Sequence, residues 1–226
     1  MPLDTAEMNT KGKASKLVRY VRNLDGFRIV DEIDGDYNHI GATVADAILQ
    51  ANMRYETHVR PRVARILSAF PEAATVSGLR HLLSSIGVDT FLDWKGEDRI
   101  KRFEDVVALL TSEGIETERD LKDWLRHKGN LAKLEEIRGI GPKTVDYLKI
   151  LTGLQTSAID RHLINFLDDA GVPATGYREA SAIFNLAADE MEVPRSHFDH
   201  SVWTYMSEKR NGARHGNGNP PCPSTE

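Results

Sequence analysis

Apolar residues recur at spacings of three and four along nearly the whole chain, a period that helices satisfy and strands do not. Ile100, Phe103, Val106, Val107 and Leu110 share one helical face after Gly96, and Gly114 supplies a stop. Val59, Val63, Ile66, Leu67 and Phe70 form a second stripe, ended by Phe70-Pro71. Leu79, Leu82, Leu83 and Ile86 form a third, closed by Gly87. Thr43 precedes Val44, Ile48 and Leu49, with Asp46 at the capping-box position; Thr117 and Asp120 likewise open a segment carrying Leu121, Trp124 and Leu125. Tyr177 to Met191 and Phe198 to Met206 read as the last two helices. The best strand signal, FRIVDEI at 27–33, stands without a partner. The expected fold is therefore all-α, with two packed helical lobes.

Composition narrows the function. With 226 residues and 40% apolar content, the chain has enough to bury a core. Its apolar runs, such as Val106 to Leu110, fall far short of the roughly 20 residues needed to span a bilayer. The opening MPLDTAEMNTKGK has no apolar signal core, so a cytoplasmic protein is expected, nucleoid-associated if bacterial. The single cysteine, Cys222, excludes an intrachain disulfide, a Cys-rich zinc finger and a four-cysteine iron–sulfur cluster. A net charge of −5 argues against coating nucleic acid by charge alone. Yet Lys11, Lys13, Lys16, Arg19 and Arg22 cluster without an intervening acid, and Arg54, Arg60, Arg62 and Arg65 surround only Glu56. Such clusters mark either a basic face or solvated helix surfaces. Residues 1–14 and the Gly/Asn/Pro tail 211–226 are expected to be disordered, flanking a folded region over 15–210.

The stretch RGIGPKTVDYLKIL, residues 138–151, reads as the second half of a helical hairpin over 131–151. Leu131, Leu134 and Ile137 form the apolar side of a short helix; Gly139 and Gly141 make the turn; Val145, Leu148 and Leu151 continue in a second helix. Pro142 suits that helix's first position, and the glycines permit positive φ and close backbone approach. Open N–H groups and the positive helix end make an anion site suited to a phosphate. Lys143 falls in the first helical turn, either as a solvated cation that attracts phosphate or as a nucleophile once neutral. Lowering a lysine pKa from about 10.4 to roughly 7–8 takes about 3–5 kcal/mol, more than the dipole's ~0.3–1, so burial must supply the rest. Further on, AIDRHL places Asp160 ahead of Leu163, Ile164, Phe166 and Leu167, as an N-cap that would also hold a carboxylate at a helix entrance.

In combination, LEEIRGIGPKTVDYL followed by AIDRHL resembles the helix-hairpin-helix DNA glycosylases of the endonuclease III-like superfamily. The resemblance is strict over about residues 131 to 167 and looser over 43 to 206. It implies a two-lobed helical fold with a cleft between the lobes, acting as a monomer on double-stranded DNA that carries a damaged or mismatched base. Such enzymes flip the nucleotide out and cleave its base–sugar bond. Lys143 matches the lysine that in bifunctional members attacks C1′ and forms a Schiff base, after which β-elimination nicks the strand. Asp160 matches the acid that stabilises positive charge on the sugar and assists proton transfer. The hairpin residues Gly139, Ile140, Gly141, Pro142 and Thr144 would contact the DNA backbone, in some relatives through a monovalent cation, and His162 follows the acid. ILQANMRY, 48–55, resembles the segment that fills the gap left by the flipped base, with Asn52 aligned best and Gln50 or Met53 beside it; an Asn turn is the alternative.

The chain departs from many relatives in having no four-cysteine cluster loop, so no resident cofactor is expected. Its end, HFDHSVWTYMSEKR, holds His197 and His200 without an evident further metal ligand. A glycosylase without efficient strand cleavage and a non-catalytic hairpin DNA-binding module are the competing expectations. The damaged base is open, since Trp94, Trp124, Phe103, Tyr147 and Trp203 read as core.

Overall fold

A computed structural model describes the backbone of residues 5–215 and the side chains of residues 9–209. Among them the regular structure is helical, without strands: α1 (Thr5–Arg22), α2 (Ile40–Leu49), α3 (Arg60–Ala69), α4 (Val76–Ile86), α5 (Val88–Leu92), α6 (Glu97–Ser112), α7 (Glu118–Leu125), α8 (Lys128–Glu135), α9 (Pro142–Leu151), α10 (Arg161–Asp169), α11 (Tyr177–Glu190) and α12 (Arg195–His215). A π-helical turn over Tyr55–Val59 leads into α3, and a 3₁₀ turn over Pro71–Ala74 follows it. The chain divides into two compact units, a continuous one from 33 to 158 and one that joins residues up to 32 with those from 159 on.

The middle unit is built around α2, whose sequence IGATVADAIL is apolar nearly all round and whose ten residues are all buried. A helix without a polar face needs neighbours on every side. Here they are α3, α4, α6 and α9. Ile40, Ile48, Phe91, Phe103 and Leu151 are at most 1% exposed in its core.

The start of α2 differs from the capping expectation at Thr43. The N-cap is His39, whose ring Nδ1 accepts from the Ala42 N–H at 3.1 Å while Nε2 bonds the Phe70 carbonyl at 2.9 Å. Thr43 lies one turn inside, its hydroxyl bonding the His39 carbonyl and the buried Glu118 at the start of α7. The capping-box spacing from Thr43 to Asp46 is thus incidental. At α7 the same pattern is genuine, with Thr117 and Asp120 bonding reciprocally.

The outer unit packs α1 against α11 and α10 against α12. Residues 1–14 were expected to lack structure; 1–4 lie outside the described residues, while from Thr5 the chain is in α1, from which Ala14, Leu17, Val18 and Val21 are buried. Their spacing of three and four is the signal that turns a basic, polar segment into an amphipathic helix. Lys13 and Lys16 of the first basic cluster are tied inward, to Glu179 and Pro173 and to the Gly171 carbonyl. At the other end α12 runs to His215, past the expected boundary at 211; residues 216–226, with Cys222, lie outside the described residues.

The lone strand-like segment at 27–33 has no regular secondary structure and bonds to a helix. The Val30 N–H donates to Ser201 at 2.9 Å, and its carbonyl accepts from His197 Nδ1 at 3.0 Å. Phe27 packs on the rings of Phe166, Phe198 and Tyr205. No described helix is long and apolar enough to cross a membrane.

Candidate functional site

Over 128–151 the chain runs as α8, a turn over 136–141, and α9; α8 ends at Glu135, so Ile137, expected on the first helix, lies in the turn. The two glycines play different parts. Gly139 sits at φ +88, the left-handed region, and a side chain there would meet the Arg102 guanidinium, which donates through Nε to the Arg138 carbonyl. Gly141 has φ −118, open to any residue, so the expected need for positive φ does not hold there. A Cβ on Gly141 would stand in open space. Pro142 opens α9 behind the Gly141 N-cap, and no side chain caps the helix start. Gly139 and Gly141 donate to no backbone carbonyl among the described residues. The turn is therefore an uncapped helix end with Arg102 and Lys143 beside it, a setting that attracts an anion. Ile140 and Thr144 are buried, so these two present backbone more than side chain.

Lys143 Nζ donates to Gln50 Oε1 at 3.0 Å, across 93 residues of sequence. It also lies 5.7 Å from the centroid of the Tyr147 ring, one turn on along α9. A carbonyl oxygen and a ring face both attract a cation. Two of the residues singled out in the sequence for separate reasons thus meet at the C-terminal end of α2. The Gln50 Nε2 is buried without a partner.

Asn52 is exposed at φ +57, the left-handed conformation that asparagine tolerates, so it forms a turn and presents its side chain to solvent. Arg99 donates to the Ala51 carbonyl from between this turn and Trp94, whose ring it covers at 4.8 Å. Arg62 approaches the same indole at 5.3 Å. Of the second basic cluster, Arg60 pairs with Asp34, Arg62 with Asp93, and Arg65 with the Thr90 and Phe91 carbonyls.

Sequence reasoning missed Asp46 as anything beyond a capping residue. Its carboxylate is 0% exposed and accepts three phenols: Tyr37 at 2.8 Å and Tyr55 at 2.9 Å on Oδ2, Tyr147 at 3.1 Å on Oδ1. Burial pushes its pKa up to about 6 against the pull of the three hydrogen bonds, and the same burial drives all three phenols upward. The signal was an acid inside an apolar helix; its partners lie in three separate segments that no local pattern connects.

In the outer unit Asp160 is the N-cap of α10, accepting from the N–H groups of His162 at 2.7 Å and Leu163 at 3.2 Å. His162 is buried, its ring edge-on to Trp203 at 6.1 Å, while His200 stacks on the same indole at 5.8 Å. His197 is engaged with Val30. Among the described residues no group of three or more His, Cys, Asp or Glu side chains is placed to hold a metal.

No curated protein and no solved structure matches this chain. One family does, over residues 15–207, described as a domain of unknown function (DUF8548). That span takes in α2, the hairpin and Asp160, so every residue of the candidate site falls within the matched region. The chain belongs to the DUF8548 family.

Proposed function

We propose that the protein is a base-excision DNA glycosylase of the two-lobed helix-hairpin-helix kind, with AP lyase activity. The observation that carries the reading is the 3.0 Å contact between Lys143 and Gln50. It joins the proposed nucleophile to the segment proposed to fill the gap in the helix. The uncapped hairpin end, with Gly141 open above it, supports docking of a DNA phosphate.

In this reading the hairpin grips the backbone beside the lesion, Asn52 enters the stack, and the damaged nucleotide turns outward. Lys143, once neutral, attacks C1′ and displaces the base, which takes up a proton as it leaves; the sugar ring opens to a Schiff base, β-elimination expels the 3′ phosphate, and water hydrolyses the imine to free the lysine. Asp160 stabilises charge on the sugar, with its Oδ1 held by two backbone N–H groups. A second reading, glycosylase without lyase activity, is favoured by the cation-attracting contacts of Lys143.

Borohydride trapping on duplexes bearing an abasic site or a single damaged base tests both. Wild-type protein is expected to give a covalent adduct that Lys143→Ala loses. Base release without an adduct supports the second reading, and binding with neither sinks both. Asp160→Asn should cut base release about 100-fold or more while DNA affinity holds. Asparagine caps as well as aspartate, so the helix start survives and the loss reports on charge.

A further inference from the structure

A buried carboxylate with no cation bonded to it is expensive, and cores that need only packing use apolar residues instead. Asp46 is such a carboxylate, held entirely by phenols. Tyr37 comes from the segment before α2, Tyr55 from the π-helical turn after it, and Tyr147 from α9. Tyr147 is the member shared with the proposed site: its hydroxyl donates to Asp46 Oδ1, and its ring lies 5.7 Å from Lys143 Nζ.

We propose that Asp46 is a positioning residue for Lys143, acting through Tyr147: it pins the hydroxyl, so fixing the ring beside the amine, and its charge sets the field the amine feels. The inference rests on the reading of Lys143 as the reactive amine. Three acceptor positions are needed at once, two on Oδ2 and one on Oδ1, and only the ionised carboxylate supplies them all without a proton in the way. When Asp46 takes up a proton, one oxygen becomes a donor and its hold on the phenol it accepts from weakens. The other charges around this group are Asp34, which adds a small upward push on Asp46, and Arg60, which Asp34 holds at 2.9 Å. Lys143 reaches this group through the Tyr147 ring, whose centroid lies 5.7 Å from its Nζ.

The test reads the amine directly, without DNA. Lysines are dimethylated with ¹³C-formaldehyde and a borane, and the Lys143 signal is assigned by its loss in Lys143→Arg. In the wild type that signal should show a small inflection near pH 6, where Asp46 titrates, besides its own titration. Asp46→Asn should erase the inflection and lower the lysine midpoint by about half a unit, the reach of one charge across a tyrosine ring. Tyr147→Phe, which keeps the ring and drops the tether, should weaken the inflection and broaden the signal; it also serves where Asp46→Asn fails to fold. Folded variants whose Lys143 curves superimpose on the wild type overturn the inference. A wild type that shows the coupling but traps no abasic-site duplex upholds the Asp46 link and sinks the lyase reading instead.

Discussion

Asp46 makes the stability of this protein depend on pH in an unusual direction. Other carboxylates with a displaced titration are held low: Lys13 and Thr175 pull Glu179 down to about 2, and Arg195 lowers Asp189. Their contributions are complete above the ordinary carboxylate range and are lost only as pH falls below it. Asp46 is raised to about 6, so the folded state binds a proton that the unfolded state has already released. Between the unfolded value near 4 and the folded value near 6, stability therefore falls as pH rises, by about 3 kcal/mol in all. Urea midpoints should climb as pH drops from 7 to 5, and Asp46→Asn should flatten that slope. A wild-type midpoint that falls over this window would mean the carboxylate is better solvated than its surroundings indicate.

At the scale of elements, the hairpin separates two uses of glycine. Gly139→Ala forces a left-handed residue and displaces Arg102, so it should cost about 1–2 kcal/mol in denaturant unfolding. Gly141→Ala meets neither obstacle, and its stability should stay within about 0.5 kcal/mol of wild type. Under the proposed function it should still weaken duplex binding about tenfold, because its methyl stands where a phosphate approaches. Equal losses of stability in both variants would contradict the assigned conformations. The hairpin was legible because its signals are local: a proline at the helix start, glycines in the turn, apolar spacing on either side. The start of α2 was not, because Thr43 and Asp46 mimic a capping box while the actual cap is an imidazole whose other nitrogen is satisfied by Phe70, 31 residues away. The meeting of Lys143 with Gln50 was foreshadowed only by resemblance, since no periodicity relates positions 93 residues apart. Of the Asp46 cluster only the acid inside an apolar helix was visible locally; its three phenol partners were not.

At the scale of the whole molecule, the described residues form two separate cores, and their membership makes the division testable. Every buried residue of the middle core falls between Ile40 and Leu151, so the segment 33–158 holds its own packing. The outer core draws on both sides of it: Ala14, Leu17, Val18 and Val21 from α1, then Ile159 through Met206. The apolar periods announced most of these helices, but nothing in them said that residues before 33 pack with residues after 158. That pairing depends on α1, which reads as a polar terminus until its four small and branched apolar positions are aligned on one face. A fragment spanning 33–158 should therefore unfold cooperatively, with helical circular dichroism, on its own. Deleting residues 1–22 should leave that transition in place and abolish the other, because α11 loses the helix it packs against and the Lys13–Glu179 pair. A milder version, Leu17→Ala, removes a side chain that is 0% exposed and should cost the outer unit about 2–5 kcal/mol. Two calorimetric transitions, of which only one moves in Leu17→Ala, are the expected result; a single transition that shifts as a whole would show that the two cores melt together.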